Sequence, residues 1–183
     1  VARRSPIPLP YTGAMARSPL SPDAHPAIPS LWDYACEIYA RPGIREICLD
    51  WQNRFNADIP LVLALCWREA QGGPLPDTAA LGQLAGDVAP WRRDTILPLR
   101  SLRTRVKALG TSDSQVGRLR AAVLEAELQA ERTQLAWLAH NLPLAAPGKG
   151  LEQVLANYLG SLGADEQTRA TAPGALTGAL GLT

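Results

Sequence analysis

Nine consecutive residues, Ile59-Pro60-Leu61-Val62-Leu63-Ala64-Leu65-Cys66-Trp67, carry no charged or amide side chain. Asp58, just before them, is a good helix N-cap, and Pro60 suits a first helical turn, where its missing N–H is no loss. Gly72-Gly73-Pro74 stops the run. A helix over about 59–71 that is apolar on every side must be packed on several sides, so other elements have to be built around it. It falls well short of the roughly 20 residues that a membrane span requires.

The flanking segments supply amphipathic partners. Ser30 with Asp33 three residues on forms a capping-box pattern ahead of Leu31, Tyr34, Ala35, Ile38 and Tyr39, which predicts a first helix over about 31–40. Ile44, Ile47, Cys48, Trp51 and Phe55 make the inner face of a second helix, and Asn56-Ala57-Asp58 turns into the third. Asp77 opens a short fourth helix, about 78–86, weakened by Gly82 and Gly86. A fifth, about 88–109, contains Pro98, which predicts a kink near 94–98. Beyond it Leu99, Leu102, Val106 and Leu109 recur at three- and four-residue spacings.

A sixth helix, about 113–141, starts at a second capping box of Ser112 and Gln115 and carries two apolar stripes. One runs through Val116, Leu119, Val123, Ala126, Ala130 and Trp137; the other through Leu124, Leu128, Leu135, Leu138 and Leu142. Antiparallel packing of helices five and six as a hairpin is the economical arrangement. Leu151, Val154, Leu155, Tyr158, Leu159 and Leu162 define a seventh helix. With no credible strand, the chain reads as all-α: an irregular bundle of about six or seven helices with the third at its centre. The helical domain is assigned to 30–162. Residues 1–29, rich in Pro, Ser and Ala, are expected to be a disordered leader, and 163–183, with little bulk, a disordered tail. The only Met is Met15, so translation is expected to start there or at an alternative codon for Val1.

Most chemistries find no footing. Cys36, Cys48 and Cys66 stand 12 and 18 residues apart without a close pair, which suits neither a disulfide framework nor a zinc site. They are expected to be free thiols in a reducing, cytoplasmic compartment, with no metal or cofactor bound. Pro147-Gly148-Lys149-Gly150 lacks the spacing of a phosphate loop, and no G-x-S-x-G elbow occurs. His140 is expected near a helix C-terminus, where it interacts with the last carbonyls. No catalytic residue is assigned, and the residues favour a non-enzymatic role.

Three surfaces remain as candidates. The net charge of +1 gives no global field, yet Arg92, Arg100, Arg103 and Lys107 cluster on helix five. They form a candidate anion or partner site, with pairing to Glu125, Glu127 and Glu131 of helix six as the competing reading. Leu124, Leu128, Leu135 and Leu138 form a candidate seam for a protein partner or self-association. Trp32, Trp67 and Trp91 are candidates for lining a cleft that would hold a small molecule. The leading expectation is a helical interaction or adaptor domain. Binding of nucleic acid or an anionic ligand through helix five is the first alternative, and a ligand binder or enzyme with a Trp-lined cleft the second. No membrane association is expected.

The run Leu31-Trp32-Asp33-Tyr34-Ala35, with Tyr39, Pro42-Gly43, Cys48, Leu49 and Gln52, resembles the opening of a family of uncharacterised proteobacterial proteins, a domain of unknown function. The likeness continues through Ala57-Asp58-Ile59, the Leu-rich run ending in Trp67, Gly72, Ala89-Pro90-Trp91-Arg92 and Pro98-Leu99-Arg100, covering about 30–110. Asn56 and Pro60 depart from the pattern at the turn before the third helix, in ways compatible with a turn and a first helical position. The resemblance implies no activity, cofactor or catalytic residue.

Overall fold

The computed structural model describes residues 30–109, 114–142 and 150–182. The expected leader, and the Ser112 end of the second capping box, lie outside the described residues.

Helices α1 (Leu31–Tyr39), α2 (Ile44–Phe55) and α3 (Ile59–Ala70) come first. Ser30 Oγ accepts the Asp33 backbone N–H at 3.1 Å and donates to the Asp33 carboxylate at 2.6 Å, so the predicted capping box is formed. Gly43 at φ 84° and Asn56 at φ 54° bracket α2 in left-handed conformations, which Gly and Asn adopt at least cost. In α3 every residue from Ile59 to Cys66 is buried, and the helix packs on α1, α6 (Ser114–Asn141) and α7 (Leu151–Ser161). Fully burying one Leu contributes roughly 1.5–3 kcal/mol, so this run of Leu and Val residues anchors the molecule.

The sequence suggested separate helices over about 78–86 and 88–109, but α4 (Thr78–Trp91) and α5 (Leu97–Ala108) are not separate. A π-helical segment, 92–96, joins them into one continuous rod, which makes seven helical rods among the described residues. The expected break after Gly86 is absent, because glycine in a helix costs only about 1 kcal/mol and packing on α6 and α7 outweighs it. The irregularity ahead of Pro98 takes the form of the π segment. The Leu97 N–H reaches back five residues to the Arg92 carbonyl, and Pro98, having no N–H, continues no such ladder.

Residues 163–183 contain a further correction. Instead of a disordered tail, α8 (Glu166–Leu180) packs along α7 and touches α2. Asp165 caps it by accepting the Thr168 N–H at 2.7 Å, and Gly181 ends it at φ 68°. Leu176, Thr177 and Leu180 are buried, and Thr177 donates to Glu152 of α7 at 2.7 Å. Small Ala, Gly and Thr side chains let two helices approach closely, so low bulk here marks tight packing rather than disorder.

The main core joins α1, α2, α3, α4, α7, α8 and the C-terminal half of α6. Ile96, Val106, Val123 and Ala130 are buried apart from it. They fill the seam between α5 and α6, where α5 makes its principal packing. The distal half of the α5–α6 hairpin therefore extends beyond the body, held by its own seam. No helix among the described residues is long and apolar enough to cross a membrane.

Candidate functional site

The hairpin is fastened at its base by a chain of polar groups aligned on α6. Glu127, Glu131 and Gln134 recur at four- and three-residue spacing and so share one face. Glu127, almost fully buried, accepts from Arg100 Nε at 3.0 Å and from Arg103 Nε and Nη2. Glu131 accepts from Arg100 Nη2 at 2.6 Å. Burial pushes the Glu131 carboxyl above the usual range, and Arg100 opposes that shift. The Glu127 hydrogen bond raises the Arg103 guanidinium further above its ordinary value. Tyr39 of α1 stands in the same field and is pushed up to about 12, by burial first and the Cys48 and Glu131 charges next.

One turn deeper, Gln134 donates to Asp58 Oδ2 at 2.7 Å, while Asp58 Oδ1 caps α3 at the Leu61 N–H. The Asp58 N–H donates to the Tyr158 hydroxyl at 2.8 Å. Burial raises the Asp58 carboxyl above its ordinary value, against the hydrogen bonds from Gln134 and Leu61 and the charge of Arg92. Arg92 Nε lies 3.9 Å from Asp58, and its Nη2 donates to the Asn56 carbonyl and side chain at 2.8 and 2.7 Å. The start of the π segment is thereby clamped to the α2–α3 turn. Trp91 adds a bond from its indole N–H to the Ala130 carbonyl at 3.0 Å.

Three of the four predicted anion-site residues are thus engaged internally. Arg100 and Arg103 pair with α6 carboxylates, and Arg92 holds a turn; Lys107 stands exposed without an ion-pair partner among the described residues. The proposed Leu seam divides. Leu124 and Leu128 are 41% and 37% exposed, whereas Leu135 and Leu138 are 3% and 0%. That half of the seam is core, because α6 passes from the projecting hairpin into the body between them, where α1 and α3 cover it. Of the Trp residues, Trp32 packs against the core beneath the Arg132 guanidinium, 5.2 Å from its ring, and Trp67 is half-buried against the same core. Trp91 points its N–H to α6.

Sequence reading missed the exposed residues nearer the hairpin tip. Leu109 is 75% and Leu119 52% exposed, and Leu102 is also exposed. Around them Arg105, Arg118 and Arg120 join Lys107, all exposed or half-exposed and none with an ion-pair partner among the described residues. The signal was present: Leu102 and Leu109 are one heptad apart, as are Leu119 and Ala126. What was missing was that, among the described residues, α5 makes its principal packing on α6. Elsewhere, a shallow polar depression of about 270 Å³ lies between α7 and α8, lined by Gln153, Asn157, Glu166 and Arg169 among others. No group of three or more His, Cys, Asp or Glu side chains is placed to hold a metal among the described residues.

No curated protein and no solved structure matches the chain. A family model does, over residues 30–138, the span that runs from the α1 cap to the last core Leu of α6 before Leu142 and includes the whole polar chain except Tyr158. That match takes in more than half of the sequence, and the chain belongs to the family described as protein of unknown function (DUF2390).

Proposed function

We propose that this protein is a helical interaction domain whose partner surface is the distal α5–α6 hairpin. One observation carries this reading: three large leucines, Leu102, Leu109 and Leu119, stand exposed on a projecting hairpin whose own core is already filled by Val106 and Val123. Scattered surface leucines need no explanation, but a cluster on one projecting element suits an interface. The buried ion pairs at the base support the reading, since they hold α5 on α6 and so present the surface ready-made. Two free buried thiols, Cys48 and Cys66, fit action in a reducing, cytoplasmic compartment.

The test is affinity purification of the tagged protein from its native cell at low salt, beside the variants Leu109→Asp and Leu119→Asp. Both positions are exposed, so the variants should keep wild-type helicity and melting temperature. A stoichiometric partner that is retained by wild type and lost from both variants is the expected result. A partner captured equally by all three chains, or a substrate turned over equally by all three, would overturn the assignment of the surface.

A further inference from the structure

The hairpin surface also has a chemistry that selects its partner. The segment 101–126 carries Arg103, Arg105, Lys107, Arg118 and Arg120 against Asp113 and Glu125. Arg103 is neutralised by Glu127, which leaves four cations without an ion-pair partner among the described residues. The pairing of Arg103 with Glu127 and of Arg100 with Glu131 sets the antiparallel register. In that register Leu109 falls within about one turn of Leu119, and Leu102 within about one turn of Ala126, on the same side of the hairpin. Val106 and Val123 lie buried between the two rows. Two rows of residues, each one heptad apart, flank a shallow groove of the kind into which a third helix seats its own knobs. Arg105 falls between Leu102 and Leu109 at three- and four-residue spacing, and Arg118 adjoins Leu119, so cations border the groove on both helices, with Glu125 beside Ala126 as the one acidic neighbour among the described residues.

We infer that the occupant of this groove is an acidic amphipathic helix from another protein, one that places apolar residues on the leucine rows and carboxylates against Arg105 and Arg118. This rests on the hairpin being the partner surface. Charge decides among the alternatives. A second copy would bring the same unneutralised cations to the interface, and residues 1–29 bring Arg3, Arg4 and Arg17 against Asp23 alone. Nucleic acid would meet the charge, but the groove offers leucines where single-strand binders use aromatic rings for stacking.

The probes are two labelled three-heptad peptides with identical Leu and Ile at the a and d positions, one bearing Glu and the other Lys at e and g. Binding to the full chain is read by fluorescence anisotropy. The Glu peptide should bind at least about tenfold more tightly than the Lys peptide, a preference that shrinks as salt screens the charges. Leu109→Asp should weaken the Glu peptide at least about tenfold, because it sets a like charge in an apolar row. The double variant Arg105→Glu with Arg118→Glu should reverse the preference, and Leu49→Asp, exposed on α2, should leave it unchanged. Equal binding of both peptides overturns the inference. So does tighter binding to phosphatidylserine vesicles, or a wild-type dimer in sedimentation that Leu109→Asp dissociates. If the Glu peptide fails while Leu109→Asp and Leu119→Asp still lose the partner captured from cells, the interaction surface stands and the acidic helix is withdrawn. If capture is also indifferent to both leucines, both conclusions fall.

Discussion

Replacing Glu127 by Ala removes the carboxylate that two guanidiniums share. Its side chain is 5% exposed, and those of Arg100 and Arg103 are 18% and 30%. Deleting one member of a buried ion pair typically costs about 3–5 kcal/mol, because a charge is left without compensation. Two features reduce that figure. Arg100 keeps Glu131 at 2.6 Å, and Arg103 is close enough to solvent to recover part of its hydration. The expected loss is therefore roughly 2–3 kcal/mol, which for a chain of this size lowers the melting temperature by about 5–10 °C. Since α5 makes its principal packing against α6, the loss should be local. Hydrogen exchange should show α5 amides opening while α3 amides keep their protection. Glu127→Gln retains an acceptor oxygen and should lose about half as much. A double-mutant cycle with Arg103→Met should return a coupling of about 1–2 kcal/mol. A melting temperature within about 1 °C of wild type would refute the assignment of Glu127 as the fastening of the hairpin. Equal loss of protection in α3 and α5 would refute the independence of the hairpin from the body.

Asp58 has a folded-state carboxyl raised above its ordinary value by burial, so the stability it contributes is present in acid and is lost as pH rises through the folded value. Asp58→Asn keeps the cap on Leu61, and its amide can donate to Gln134 Oε1, which is buried without a partner, once the Gln134 amide turns over. Urea unfolding should accordingly show the Asn variant gaining on wild type between pH 4.5 and pH 7.5, about the range above the unfolded carboxyl; a relative loss at neutral pH would mean that Arg92 outweighs burial. Leu135→Asp should unfold the protein or cost at least about 3 kcal/mol by placing a charge in the core, whereas Leu128→Asp should stay within about 1 kcal/mol; circular dichroism and melting temperature distinguish them, and equal effects would contradict the division of the seam. Burial pushes the Cys48 thiol up to about 12 and raises Cys66 as well, while Cys36 is exposed. Titration with a chromogenic disulfide near pH 8 should count one fast thiol per chain and three after denaturation; three fast thiols in the native chain would contradict the burial of Cys48 and Cys66.

The sequence alone determined the helical class, the central place of α3 and the side-chain caps at Ser30, Asp58 and Asp77. Those properties are local: an N-cap needs only the residues of its own first turn, and an unbroken apolar helix must be covered whatever covers it. It also showed that α5 could pair with α6, because opposite charges recur along both. Periodicity, however, reports only that a face is apolar or charged, never what lies opposite. Leu128 and Leu135 belong to one stripe in the sequence, yet Leu135 is covered by the body and Leu128 is not. Arg103 and Arg105 look equivalent in the chain, but only Arg103 meets Glu127. The helix in 166–180 escaped notice because weak propensity and small side chains look like absence of structure until α7 lies against them. Which apolar and charged residues remain for a partner was decided only by the tertiary fold. Burial and ion pairing are set by residues far away in sequence, here by α6 leaving the core partway along its length and carrying α5 out with it.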